Sequence, residues 1–364
     1  MIKIDYKANL VNFSSSLLKR YGVKPFHASI NKIDALIKNK KKIAVILMDG
    51  MGEYILNQHK DVSQILLDHS CMKITSVYPP TTVAATTSLL SGKYPGETGY
   101  LGWSLPINNF SRNVDVFTNC DSQSGEKVSS SNVINKLCPY TNIIDLINKH
   151  NKKEVAKSVF RYPVDKKGPK SFSSFLRRIK KEAKTHSFVY GYFNNPDHTI
   201  HEHGVKSKET KKVIKQYVKK IVSFAKRNKD VLILTIADHG LIDINPISLS
   251  DYPDLKELLV APHSIEPRTP NFKIKQNKEE AFETLFNKYL GKHFVLIKNK
   301  QIEEKNIFSN GKLTDNAKQF LGDYIAIVKD NSALIFDGAS AFKAHHAGNT
   351  NEEMLINISV FNED

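Results

Sequence analysis

The stretch that indicates the fold runs from Lys41 to Gly52 and reads Lys-Lys-Ile-Ala-Val-Ile-Leu-Met-Asp-Gly-Met-Gly. The residues from Ile43 to Met48 are all apolar, and a continuous apolar run is typical of a strand covered on both faces, as in a parallel sheet. Asp49 therefore follows the carboxyl end of a central strand, and the glycines after it allow a tight turn. We predict an α/β fold with a mostly parallel central sheet and helices on both faces.

Two more segments predict buried strands, Ser187–Phe193 and Val231–Ala237. Each is followed by a loop that carries a carboxylate and an imidazole, and a last loop before a strand predicted at Met354–Phe361 carries one more histidine. Because ligands bind at the carboxyl ends of strands in open α/β sheets, we expect these side chains to lie close together. The candidate metal ligands are Asp49, Asp197, His201, Asp238, His239 and His346.

Carboxylates and imidazoles of this kind are the ligands that zinc-like ions take. The three cysteines of the chain are too few and too scattered for a disulfide framework or a four-thiolate zinc site. Three carboxylates and one threonine alkoxide would balance the charge of two divalent ions. We therefore expect two divalent metal ions as cofactors, with zinc as the first choice and manganese as the alternative.

A hydroxyl-rich segment runs from Ser76 to Gly92 and reads Ser-Val-Tyr-Pro-Pro-Thr-Thr-Val-Ala-Ala-Thr-Thr-Ser-Leu-Leu-Ser-Gly. Its prolines predict an extended approach and a turn at Thr81 and Thr82. From Val83 onward the residues suit a helix that ends at Gly92. A hydroxyl at this turn faces a helix N-terminus, where free N–H groups favour anions. It is either a nucleophile for attack on phosphorus or an N-cap without chemistry.

The charge balance of the 364 residues is strongly basic, with 53 Lys+Arg against 37 Asp+Glu. Such a balance could attract phosphorylated substrates or nucleic acid, but lysine-rich solvated faces are the simpler explanation. No run of about 18 apolar residues indicates a membrane span, and the N-terminus lacks a signal-peptide pattern. We expect no membrane partner and a cytoplasmic location, and the oligomeric state stays open.

Residues 250–322 differ in pattern from the rest of the chain. They mix short apolar segments, such as Phe294–Ile297, with an amphipathic helix at Lys278–Leu290 and polar turns. A strand is predicted again at Asp323–Lys329. We predict that residues 250–322 form a smaller inserted α+β subdomain, and that residues 1–249 and 323–364 form the catalytic core.

In this order the motifs resemble the alkaline phosphatase superfamily, and within it the type I phosphodiesterase/nucleotide pyrophosphatase family. The resemblance runs from about residue 43 to the C-terminus. It rests on Asp49-Gly50-Met51-Gly52, the block from Tyr78 to Gly92, Asp197 and His201 with Gly204, Asp238-His239-Gly240, and His346-Ala347-Gly348 followed by Glu352-Glu353-Met354. The resemblance implies an alkaline phosphatase-like fold.

The resemblance also implies a role for each residue. Counting from Tyr78 and back from Gly92 puts Thr82, and not its neighbour Thr81, at the family's nucleophile position. One metal ion would be held by Asp197, His201 and His346. The other would be held by Asp49, Asp238, His239 and the oxygen of Thr82.

Two positions near the nucleophile depart from the family pattern. The third residue after it, often an asparagine that holds a phosphoryl oxygen, is Ala85. The residue directly after it, often aromatic and part of the leaving-nucleoside pocket, is Val83. A stacking surface could come instead from Tyr100, Trp103 or Tyr192, although ordinary packing is the alternative for all of them. We take Val83, Tyr100 and Trp103 as candidate substrate-binding residues.

The resemblance implies a two-metal phosphohydrolase that cleaves phosphodiester or pyrophosphate bonds of small nucleotide-like substrates through a covalent phospho-threonine. A metal-dependent phosphomonoesterase is the alternative, although Val83 cannot bind a dianion as the arginine of many monoesterases of this superfamily does. A non-catalytic protein that binds nucleic acid through its basic surface is a third reading, and the complete ligand set argues against it.

Overall fold

The computed structural model describes residues 4–337 and 342–363. In these ranges the strands are β1 Ile43–Met48, β2 Ser70–Thr75, β3 Ser104–Ile107, β4 Arg112–Asp115, β5 Cys120–Asp121, β6 Ala156–Phe160, β7 Phe188–Phe193, β8 Leu232–Ile236, β9 Ile242–Asp243, β10 Asn245–Ser248, β11 Ser264–Glu266, β12 Thr269–Phe272, β13 Phe294–Lys298, β14 Tyr324–Val328, β15 Ser332–Ile335, β16 Ala344–His345 and β17 Leu355–Phe361. The parts of the predicted domains that cover residues 1–3, 338–341 and 364 lie outside the described residues.

The helices of the described ranges are α1 Leu10–Arg20, α2 Asn31–Ile37, α3 Glu53–Gln58, α4 Lys60–Asp68, α5 Thr82–Ser91, α6 Pro95–Thr98, α7 Val133–Leu137, α8 Ile143–Asn151, α9 Phe172–Glu182, α10 Asp197–His203, α11 Lys208–Lys226, α12 Pro253–Lys256, α13 Glu279–Leu290, α14 Asp315–Lys318 and α15 Asn351–Met354. Short 3₁₀ helices lie at Leu249–Asp251 and Asn299–Gln301.

The central sheet has six strands in the order β2-β17-β8-β1-β7-β6. Strand β1 pairs in parallel with β7 and β8, and β6 pairs in parallel with β7. Only the last strand, β17, runs antiparallel to its neighbours β8 and β2. Every residue of β1, β7 and β8 is buried, as expected for strands covered by helices. The predicted mostly parallel α/β sheet is confirmed.

Helix α11 illustrates how the helices cover this sheet. Its buried residues recur at helical spacing and are Thr210, Ile214, Tyr217, Val218, Ile221, Phe224 and Ala225. Most of its lysines lie on the opposite, exposed side. The basic charge of this segment is therefore a solvated face of an amphipathic helix.

A second sheet of seven strands follows the order β13-β14-β12-β11-β3-β4-β5, and all its pairs are antiparallel. It takes strands from inside the predicted insertion, but also from residues 104–121 and 324–328. The strand predicted at Asp323–Lys329 forms, yet it pairs with β13 and β12 and not with the central sheet. The second sheet is thus wider than residues 250–322, because partners distant in sequence complete it. The domain boundaries themselves stay a prediction.

Within the described part of the chain, none of the helices combines the length and the hydropathy that crossing a membrane requires. The cytoplasmic location stays a prediction.

Candidate active site

The loops that follow the parallel strands meet at the carboxyl edge of the central sheet. The Asp49 N–H donates to the Phe193 carbonyl (3.0 Å), and the Asp197 N–H donates to the Asp49 carbonyl (3.0 Å). The Gly50 N–H donates to Oδ1 of Asp238 (3.0 Å). These bonds hold the three carboxylates side by side, at the edge where α/β sheets bind their ligands.

Helix α5 places the candidate nucleophile against these carboxylates. Thr82 begins the helix and is 6% exposed. Its Oγ1 lies 3.3 Å from Oδ1 of Asp49 and 3.2 Å from Nε2 of His239. The N-cap is Thr81, whose hydroxyl does not cap the helix and donates instead to the Glu266 carboxylate. Of the two rival threonines, Thr82 therefore faces the candidate ligands and Thr81 faces the second sheet.

The predicted ligands lie in two adjoining groups. In each group the ligand atoms lie within 4.8 Å of one another, and the groups are Asp49, Asp238 and His239, and Asp197, His239 and His346. His201 adjoins the second group, because its Nε2 is 3.3 Å from Oδ1 of Asp197. The structure thus brings all the predicted ligands together. His239 belongs to both groups, whereas the family resemblance assigns it to one ion.

The three buried carboxylates lie close enough to shift one another's pKa values. Burial raises the pKa of Asp49 well above its usual range, and the neighbouring carboxylates of Asp238 and Asp197 raise it further. Burial also raises the pKa of Asp238 to about 7. At Asp197 burial acts in the same direction, but the neighbouring His201 outweighs it and lowers the pKa. Buried carboxylates this close to one another are costly unless a cation balances them.

Two of the histidines are held in the neutral form that binds metal ions. Burial lowers the pKa of His346 well below its usual range, and the neighbouring imidazoles of His239 and His345 lower it further. Burial lowers the pKa of His345 to about 3. At His201 burial lowers the pKa too, but the Asp197 carboxylate outweighs it and the net shift is upward.

Two buried oxygens test whether these residues fit metal ions. Oδ1 of Asp197 and Oδ2 of Asp238 accept no hydrogen bond from the described residues, although the Nε2 atoms of His201 and His239 lie 3.3 Å and 3.6 Å from them. A buried carboxylate oxygen without a partner is destabilising, and coordination to a cation removes that cost. Carboxylates together with neutral imidazoles form the donor set of zinc-like ions. The residues therefore fit divalent ions.

The second sheet contributes a carboxylate that was not among the candidate site residues predicted from the sequence. Glu266, at the end of β11, is 3% exposed. Its Oε1 accepts hydrogen bonds from the Thr81 hydroxyl and from the backbone N–H of Trp103 (2.9 Å). Burial raises the pKa of Glu266 to about 7. The charged segment Glu266-Pro267-Arg268 is visible in the sequence. No spacing rule, however, places this segment at the edge of the distant central sheet.

A buried ion pair fastens the loop that carries His346. Arg268 is fully buried and donates to both carboxylate oxygens of Glu353, at 2.7 and 2.9 Å. The same carboxylate accepts the Gly348 N–H (2.7 Å) and the Thr350 hydroxyl (2.8 Å). This pair ties the second sheet to the loop behind His346, and no local pattern of residues predicts it.

Two of the candidate substrate-binding residues are buried in the structure. Val83 is 0% and Tyr100 is 2% exposed, and both belong to one apolar cluster beneath the site. The Tyr100 hydroxyl donates to Asn135 (2.7 Å). Neither side chain offers an exposed face, which favours the packing alternative for both, and their assignment to substrate binding stays a prediction.

The other aromatic candidates differ from each other. Tyr192 is buried and its hydroxyl donates to Oδ2 of Asp49, so it supports a ligand and is no stacking surface. Trp103 is 38% exposed and packs edge-on against the exposed Phe117, with ring centroids 6.0 Å apart. Because its backbone N–H donates to the same Glu266 oxygen as the Thr81 hydroxyl, the backbone of Trp103 lies near the residue before the candidate nucleophile.

Comparisons with solved structures agree with the fold described above. Murine ectonucleotide pyrophosphatase/phosphodiesterase 5 (ENPP5) is similar with a TM-score of 0.64 and 16% identity, and 87% of each chain is covered. An inactive variant of the murine protein in complex with AMP matches with a TM-score of 0.65 and 16% identity over 88% of each chain. Human ENPP5 matches with a TM-score of 0.65 and 12% identity, covering 88% of this chain and 87% of its own. No curated protein sequence matches the chain.

The chain has a mixed α/β fold like that of the ENPP5 structures, with a central sheet flanked by helices. Residues 43–349 match the family model described as type I phosphodiesterase/nucleotide pyrophosphatase. The chain belongs to this family. It is therefore a hydrolase of a metal-dependent family that cleaves phosphodiester bonds.

Proposed function

We propose that this hydrolase uses two divalent metal ions, zinc or manganese, and a covalent phospho-threonine on Thr82 to cleave phosphodiester or pyrophosphate bonds of nucleotide-like substrates. The observation that carries the proposal is the position of Thr82 Oγ1, within 3.3 Å of Asp49 and 3.2 Å of His239, at the start of a helix. A hydroxyl there points at ligands that can activate it and at N–H groups that favour an anion.

The chain's own residues would divide the work between holding ions and orienting the nucleophile. One ion would bind Asp197, His201 and His346, and the other would bind Asp49, Asp238, His239 and Thr82. When bound, such ions lower the pKa of a nearby hydroxyl and offset the charge of the phosphoryl oxygens. The Tyr192 hydroxyl holds Asp49 in place, and burial of the cluster limits access of water.

The reaction would proceed in two displacements at phosphorus. Thr82 Oγ1 gives up its proton and forms a bond to phosphorus while the bond to the leaving oxygen breaks, and that oxygen leaves with the electron pair and gains a proton. Water then gives up a proton and forms a bond to phosphorus, while the bond to Thr82 breaks and Oγ1 of Thr82 regains a proton. The free enzyme is regenerated, with no oxidant or reductant required.

The substrate class is supported by similarity and by one surface residue. The AMP complex of murine ENPP5 supports a nucleotide-like substrate. Stacking on an exposed aromatic side chain contributes about 1–3 kcal/mol for a nucleobase. We propose that Trp103 provides such a face.

Kinetics with the variant Trp103→Ala test this part of the proposal. KM for a nitrophenyl nucleotide diester should rise roughly 5- to 150-fold, while KM for methyl nitrophenyl phosphate, which has no base, should stay unchanged. Phe26→Ala is the matched control, because Phe26 is also exposed (47%) but its ring contacts Lys93, beyond the far end of α5. Equal KM changes for both substrates would contradict the assignment.

The proposal as a whole is tested by metal content and turnover. The purified protein should hold about two divalent ions and hydrolyse the nucleotide diester. Thr82→Ala should lose at least about 10³-fold in kcat, whereas the neighbouring Thr81→Ala should lose less than about 10-fold. A preference for nitrophenyl phosphate of more than about 10-fold, roughly 1.4 kcal/mol, would favour a phosphomonoesterase. Absence of bound ions together with salt-sensitive DNA binding would favour a nucleic-acid-binding protein.

A further inference from the structure

Among the three candidate ligand histidines, His346 differs from His201 and His239 in the hydrogen bonding of its second ring nitrogen, Nδ1. A histidine that binds a metal ion through one nitrogen ordinarily donates the other N–H to a carboxylate, a carbonyl or a water. Nδ1 of His201 lies 2.7 Å from the Ala344 carbonyl, and Nδ1 of His239 lies 3.2 Å from the Gly240 carbonyl. Nδ1 of His346 is buried and has no hydrogen-bond partner within residues 4–337 and 342–363.

Glu266 is a carboxylate that lies close to the ring of His346. One oxygen of Glu266, one nitrogen of His345 and one nitrogen of His346 lie within 4.8 Å of one another. The hydrogen bonds from Thr81 and Trp103 both end on Oε1 of Glu266. No lysine or arginine of the described ranges forms an ion pair with Glu266. Arg268, two residues away, is engaged by Glu353.

We propose that Glu266 is a positioning residue that accepts the Nδ1–H of His346 across one water molecule. This contact fixes the tautomer of His346 and leaves its Nε2 free for the ion. Through Oε1 the same carboxylate holds Thr81, the residue before the nucleophile. Glu266 therefore connects the nucleophile turn with the ion held by Asp197, His201 and His346. The inference rests on the proposed function, because the tautomer of His346 matters only if His346 binds an ion.

A purely structural role would not need the charge of Glu266. Glutamine has the same shape, and its amide oxygen could accept the bonds from Thr81 and Trp103 equally well. An amide loses the carboxylate's second acceptor oxygen and presents an NH₂ donor there. The variant Glu266→Gln therefore separates the two roles.

The experiment measures the two ion dissociation constants by chelator competition, for the wild type and for Glu266→Gln. We expect one constant to rise 10- to 100-fold and the other to change less than about 3-fold. The unfolding temperature of the metal-free variant should equal that of the metal-free wild type. Glu182→Gln is the matched control, because Glu182 is also buried (8% exposed) but pairs with Arg178 on α9. This control should leave both constants unchanged.

Other results would overturn the inference. Two unchanged constants in Glu266→Gln would leave the proposed function intact and refute the role of Glu266. A third ion that binds the wild type and is lost in the variant would make Glu266 a ligand. A wild type that binds no ion would refute both the inference and the proposed function. Should Glu266→Gln fail to fold, ¹⁵N NMR of the wild type decides, since an Nε2–H tautomer of His346 contradicts the inference.

Discussion

Removal of the buried arginine in Arg268→Met should both destabilise the protein and weaken its candidate metal site. Arg268 makes two bonds to Glu353 and donates to the carbonyls of Ser332 (2.7 Å) and Asp330 (3.0 Å). The variant leaves the Glu353 carboxylate buried with only the Gly348 N–H and a threonine hydroxyl as donors. Breaking a buried ion pair by removing one partner costs about 3–5 kcal/mol, a large share of the total stability of a protein.

Thermal unfolding of the metal-free protein is the assay. For a chain of 364 residues, a loss of this size should lower the unfolding temperature by about 4–7 °C. Lys42→Met provides the control, because Lys42 forms an exposed pair with Asp230 (2.8 Å), and such a pair contributes less than about 1 kcal/mol. Ion affinity should fall in Arg268→Met as well, since the loop behind His346 loses its anchor. An unfolding temperature as high as that of Lys42→Met would refute this reasoning.

Three further predictions follow from the same region. Gly240→Ala should abolish ion binding at its neighbour His239, because a Cβ at this position would lie 2.0 Å from the Glu352 carbonyl oxygen; ion titration checks it, and wild-type affinity would contradict it. Ala347→Gly should raise stability by up to about 1 kcal/mol in urea unfolding, since Ala347 has a φ of +79° that glycine adopts without strain; a loss of stability would argue against it. The raised pKa of Asp238, about 7, means that Asp238 binds a proton more tightly in the folded protein than in the unfolded protein. Between about pH 4 and 7 the metal-free wild type should therefore lose stability relative to Asp238→Asn as pH rises, by roughly 1.4 kcal/mol per pH unit. A constant stability difference between the two proteins across this range would contradict this.

The central sheet and its candidate ligands were predictable because they depend on local patterns. A run of apolar residues that ends in a carboxylate predicts both a buried strand and the position of its side chain at the sheet edge. Asp49 and Asp238 follow this rule, Asp197 follows its strand after the short segment Asn194-Asn195-Pro196, and the structure brings the three together. Thr82 could be distinguished from Thr81 only through the family resemblance, whereas their contacts in the structure differ plainly.

The second sheet and the residues it sends into the site were not predictable in this way. Its strands come from three distant segments, and strand pairing between segments leaves no local periodicity. Glu266 and Arg268 reach the site from this sheet, and their partners Thr81 and Glu353 are more than 80 residues away in sequence. For Tyr100 the sequence left stacking and packing open, because the apolar cluster to which it belongs is built from segments far apart in sequence.

The stereochemical course at phosphorus tests the central claim most directly. The substrate would be a nucleotide diester made chiral at phosphorus by a sulfur substitution, hydrolysed in isotopically labelled water. Each in-line displacement inverts the configuration, so attack by Thr82 followed by attack of water should give net retention. Net inversion would mean that water attacks the substrate in a single step, and it would contradict the covalent phospho-threonine.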